Sequence, residues 1–77
     1  MTWNEPYVQE ETYLPSAIQT VFNLRFYYRP GMNELDVFYN GILLSGGLDY
    51  QETNGYTVTF LKEATVGDTI TFRKRNY

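Results

Sequence analysis

The chain has no cysteine and no histidine among its 77 residues. No disulfide can staple it, and the common zinc sites, which draw on thiolate and imidazole ligands, cannot form. The same two absences remove the Ser–His–Asp triad, the thiol nucleophile and the imidazole base from its catalytic repertoire. Carboxylate chemistry remains, but so short a chain has little wall with which to enclose a pocket, so the sequence reads as non-enzymatic. Positive charge is scarce as well: six Lys and Arg against nine Asp and Glu leave a net charge of −3. That is the wrong sign for a nucleic-acid partner. No apolar run exceeds three residues, against about 20 for a membrane-spanning helix, so no membrane partner is expected either.

Cofactors and metals find no motif. Asp49 with Glu52, and Glu34 with Asp36, are close acidic pairs, but neither sits in a loop dense in oxygen ligands; they read as solvated strand and turn residues. Gly46-Gly47 is not followed by a helix start or a Lys-Ser/Thr pair, so it is not a phosphate loop.

Aromatic residues, by contrast, are plentiful: eight Tyr, five Phe and one Trp. With three prolines and 19% charged residues, that composition belongs to a folded domain rather than a disordered chain. A domain of this size buries only about 60–65% of its unfolded surface. Without staples, large aromatic side chains or a partner subunit must supply its stability.

The chain divides near Ser16. Residues 1–17 hold Glu5, Glu10 and Glu11, no Lys or Arg, and aromatics at Trp3, Tyr7 and Tyr13. No period of 2 or 3.6 runs through them, so they read as an irregular or extended N-terminal arm, acidic and aromatic-bearing. A single helical turn over residues 10–14 is compatible with that stretch, and Pro15 would end it.

Residues 18–77 read as a small all-β domain. Phe22, Leu24, Phe26 and Tyr28 alternate with Asn23, Arg25 and Tyr27, which is strand periodicity. Residues 29–33 (Arg-Pro-Gly-Met-Asn) form a turn. Leu35, Val37 and Tyr39 then point inward, with Glu34 and Asp36 outward. Asn40-Gly41 is the sharpest local signal, a type I′ hairpin turn that returns residues 42–44 against residues 36–39. Asn54-Gly55 is a second hairpin signal, with Tyr56, Val58 and Phe60 inward. Gly67-Asp68 is the last turn, before a strand with Ile70 and Phe72 inward. Five or six short strands result, and an antiparallel β-sandwich or small open barrel is the natural solution.

Three groups are candidates for binding. Trp3, Tyr7 and Tyr13 lie on an arm with no core of its own and are expected to dock, on the parent domain or on a neighbour. Tyr27, Phe38 and Tyr50 are read as an exposed aromatic platform that a glycan can stack on. The cluster Arg73-Lys74-Arg75 gives the last five residues a charge of +3 against −3 for the first 17. Those ends either steer one copy's arm to the next copy's tail or pair within one chain.

The order of motifs resembles a small β module recurrent in tailed-bacteriophage structural proteins. The resemblance rests on Val21-Phe22-Asn23-Leu24, Tyr28-Arg29-Pro30-Gly31, and Leu35-Asp36-Val37-Phe38-Tyr39-Asn40-Gly41. It continues through Gly47-Leu48-Asp49-Tyr50 with Glu52, Val58-Thr59-Phe60 and Gly67-Asp68-Thr69-Ile70, covering about two-thirds of the chain. It implies a non-enzymatic virion component of the tail, neck or another appendage. Such a component would be a homo-oligomer in contact with other virion proteins, assembled in the bacterial host cytoplasm. The shortness of the chain points to an accessory, connector or decoration protein, or to a domain of a longer one. A carbohydrate-binding or host-surface-binding β module is the alternative, and a regulatory protein binding an enzyme through the arm is a third.

Overall fold

Phe22, Leu24, Phe26 and Tyr28 are buried while Asn23, Arg25 and Tyr27 between them are exposed. That is the pattern an extended chain shows when one face meets a core. The computed structural model describes residues 8–75. Among these there are seven strands and no helix: β1 (Val8–Tyr13), β2 (Gln19–Asn23), β3 (Leu35–Tyr39), β4 (Ile42–Leu43), β5 (Tyr50–Asn54), β6 (Thr57–Ala64) and β7 (Ile70–Arg75). One antiparallel sheet has the order β1-β7-β3-β4 and the other β2-β6-β5. The sheets do not close into a barrel; the fold is a small β-sandwich.

The turns follow from residue chemistry. Asn40 and Gly41 both take positive φ, 52° and 86°, as a type I′ turn requires, and β4 returns beside β3 through Phe38↔Leu43 and Tyr39↔Ile42. Asn54-Gly55 also makes its hairpin, but differently. Asn54 Oδ1 accepts the N–H of Tyr56 at 3.0 Å, and the β5–β6 register shifts between Glu52 and Asn54. Tyr56 stands in this turn, exposed to solvent, where an inward position was expected.

The N-terminal segment departs furthest from the sequence reading. Residues 8–13 are neither a free arm nor a helical turn but β1, paired along its length with β7. Its core-side positions are Gln9, Glu11 and Tyr13, two of them polar, so hydrophobic alternation is invisible there. Glu11 lies opposite Phe72 and accepts the backbone N–H of Arg25 at 2.8 Å, which satisfies a carboxylate that would otherwise face the core unpaired. Glu34, expected outward, is also buried. Its carboxylate takes the N–H of Arg29 at 3.0 Å and pairs with the Arg29 guanidinium, so it staples the turn that precedes β3.

The sheets are held together by rings. Phe22 of β2 and Phe60 of β6 meet at 4.9 Å between centroids, and Phe72 of β7 lies 5.6 Å from Phe22 and 6.3 Å from Phe60. Tyr13 closes the group edge-on, 5.6 Å from Phe22 and 5.7 Å from Phe72, and its hydroxyl donates to the carbonyl of Asn23. Burial of the Tyr13 ring pushes its hydroxyl pKa up to about 12, with Glu11 adding to the shift. Phe22→Ala should lower the unfolding free energy by about 3–5 kcal/mol in a urea melt. Removal of residues 1–15 takes away β1 and Tyr13 and should abolish the cooperative transition altogether. A native-like melt of that deletion would show β1 to be dispensable.

Candidate assembly surface

Three connections meet at one end of the sandwich. The strand registers Tyr13↔Ile70, Gln19↔Ala64 and Tyr39↔Ile70 bring residues 14–18, the turn at Asn40-Gly41 and residues 65–69 together. Asp68 ties the last two. Its carboxylate accepts the N–H of Thr65 at 2.8 Å, the Tyr39 hydroxyl at 2.7 Å and the Asn40 side-chain amide at 3.1 Å. Asn40 in turn exchanges two bonds with the backbone of Thr69, at 2.7 and 2.8 Å. These donors, Thr65 first, hold the Asp68 carboxyl below the usual carboxylate range, and the same carboxylate raises the pKa of the Tyr39 hydroxyl.

This braced end carries Leu14, Ile18, Ile42 and Val66, each 64–72% exposed. Isolated exposed apolar residues are ordinary; these four stand on connections that strand register brings to one end, which makes that end a candidate docking face. Because the backbone beneath is already ordered, docking there loses little conformational entropy.

The opposite end has its own apolar group. Tyr27 and Tyr56 stand edge-to-face at 5.8 Å, and Met32 lies exposed on the neighbouring turn. The backbone under them is fixed by Tyr28 N–H donating to the Gly55 carbonyl at 2.8 Å. A Cβ on Gly55 would lie 3.3 Å from the Tyr28 carbonyl oxygen, which explains a glycine without positive φ.

The residues singled out from sequence are distributed as follows. Trp3 and Tyr7 lie outside the described residues, and Tyr13 belongs to the ring cluster of the core. Tyr27 is exposed at the second end, Phe38 is half-buried on the outer face of β3, and Tyr50 is buried in the core. No common stacking platform joins those three; the aromatic partner of Tyr27 is Tyr56. Arg73, Lys74 and Arg75 lie in β7, between β1 and β3, rather than on a free tail. Arg73 faces Glu10 at 3.9 Å, and Arg75 reaches Asp36 at 3.5 Å and donates to the Asn33 carbonyl at 2.8 Å. The opposite charges thus meet within one chain for Glu10 and Arg73. The apolar end was missed because Leu14, Ile18, Ile42 and Val66 are far apart in sequence and belong to no periodic run.

No family model, no curated protein and no solved structure matches this chain.

The bracing of the first end has a pH signature. A carboxyl whose folded pKa is depressed contributes stability that is complete above the unfolded Asp value, about 4, and is lost as pH falls through the folded value. Urea midpoints should therefore drop below about pH 4 in the parent chain. Asp68→Asn should start lower at pH 7 and lose less on acidification. Glu34, also held low by Arg29, leaves a residual acid dependence in that variant. Parallel profiles for the two proteins would show that Asp68 does not brace the fold.

Proposed function

We propose that the chain is a non-enzymatic structural protein of a bacteriophage or prophage virion, a tail, neck or appendage component, working through protein–protein assembly as a homo-oligomer. The observation that carries the assembly reading is the exposed apolar end formed by Leu14, Ile18, Ile42 and Val66 over the Asp68 brace. Its counterpart is the Tyr27–Tyr56–Met32 group at the opposite end. Two unlike patches at opposite ends favour head-to-tail contact, which yields rings or stacks according to the angle between successive copies. The virion placement rests on the order of motifs from Val21-Phe22 to Thr69-Ile70 in the sequence.

The test is the native mass by light scattering across concentration and salt. The 9.1 kDa chain should run as a defined multimer, and Ile18→Ser with Val66→Ser should run as a folded monomer. Because that contact is apolar, high salt should not loosen it. A parent chain that is monomeric at every concentration would sink self-assembly. Recovery of the chain in purified particles from a producing culture would test its place in the virion.

A further inference from the structure

Between the turn at residues 30–33 and the β4–β5 connection runs an open groove of about 510 Å³, within the ~300–1,000 Å³ range of small-molecule sites. Gly31 and Asn33 line one side, Gly46 and Gly47 the other, and Gln51 and Glu52 of β5 the flank; Leu35 and Tyr50 complete it. The glycines decide its shape. Gly31 and Gly47 have φ of +79° and +90° and nothing within 4 Å of a Cβ, so the wall there is bare backbone facing open space. A Cβ on Gly46 would sit 3.2 Å from the Tyr50 hydroxyl, so glycine leaves that hydroxyl uncrowded.

The polar groups select the ligand class. The N–H of Gly31 is taken by Glu52 Oε1 at 2.7 Å, and that of Gly47 by the Tyr50 carbonyl at 2.7 Å. With those donors spent, the groove is poorly equipped to add a peptide strand, which needs a row of backbone partners. Glu52 is the one charged lining residue, so nothing there recruits an anion. What the groove offers is an amide on Gln51, a second carboxylate oxygen on Glu52 and the Tyr50 hydroxyl, along bare glycine backbone; Leu35 and the Tyr50 ring are buried beneath it. Side-chain donors and acceptors with no cationic group among them match a neutral ligand rich in hydroxyls.

We propose that this groove binds a short neutral oligosaccharide. The inference does not depend on assembly through the Leu14–Val66 end, and either can fail alone. The test is an amide NMR titration of the intact protein with cellotriose, maltotriose and triacetylchitotriose. At least one should give saturable shifts at Gly31, Gly46, Gly47, Gln51 and Glu52, with Kd in the millimolar range, about 0.1–10 mM. Gln51→Ala, and Asn33→Gly, which keeps the left-handed backbone that Asn33 adopts at φ 59°, should each weaken that binding by roughly five- to ten-fold. Tyr27→Ala should leave it unchanged. The proposal is overturned by the absence of saturation with all three sugars at about 20 mM, by shifts centred on Tyr27 and Tyr56, or by full affinity in both groove variants.

Discussion

Contact between the two sheets rests on four rings, Phe22, Phe60, Phe72 and Tyr13, and the rest of the structure depends on it. With no cysteine there is no disulfide to share the task. Phe22 and Phe72 have no exposed surface at all, and their neighbours Val37, Val58 and Ile70 are equally enclosed. A sandwich this small has few such residues, so each carries a large share of a stability that is modest for any domain of its size. This explains why the fold recruits Tyr13 from β1 and accepts Glu11 on the core side of that strand. The ring is worth more than the carboxylate costs once the Arg25 N–H satisfies it.

The same economy decides where partners can attach. A sandwich has four sheet edges, each a row of unpaired backbone groups that invites another strand. Here β2 and β5 are interrupted by register shifts, β4 is two residues long, and β1 carries Glu10 and Glu11 side by side. Bulges, brevity and charge all discourage edge-to-edge pairing. Two copies of β1 laid antiparallel would bring those acidic pairs against each other, a repulsion that directly opposed like charges impose on strands. The ends of the sandwich lack these deterrents. Leu14, Ile18, Ile42 and Val66 stand at one of them, where Asp68, bonded to Tyr39, Asn40 and Thr65, ties two of the three connections.

The inward rows were legible because they obey a period that backbone geometry enforces. Phe22 to Tyr28, Leu35 with Val37, and Ile70 with Phe72 all fall where alternation puts them. The Asn40-Gly41 hairpin was legible because a turn with two positive φ angles admits few residue pairs. What sequence could not show is where long-range partners override the local pattern. Glu11 is half-buried with the Arg25 N–H, 14 residues on, as its donor, and Glu34 is buried with Arg29 of the preceding turn as its donor. Tyr50, read as exposed, is buried in β5, and Tyr56, read as inward, stands exposed in the β5–β6 turn, outside the period that holds for Val58 and Phe60. The assembly surface was hidden for the same reason. It exists only once three separate connections have been brought together by strand register.

Charge gives the last constraint on how copies can meet. Read along the chain, the acidic start and basic finish suggest long-range steering between subunits. In the fold, Glu10 and Asp36 flank Arg73 across adjacent strands, and Arg75 is bound to Asp36 and the Asn33 carbonyl. A flank whose charges are already matched presents little net field to an approaching copy, and exposed pairs of this kind are screened further by salt. Orientation must then come from shape and apolar contact at the ends, where the two patches differ. One is aliphatic and braced by a carboxylate; the other is a pair of tyrosines on a glycine hairpin. An apolar patch can pack on its own copy in a two-fold contact or on the other patch head-to-tail, and the second is the arrangement proposed above. Head-to-tail contact of the proposed kind would leave the flanks of every copy uncovered, including the groove beside Tyr50, so that side would stay open to a ligand.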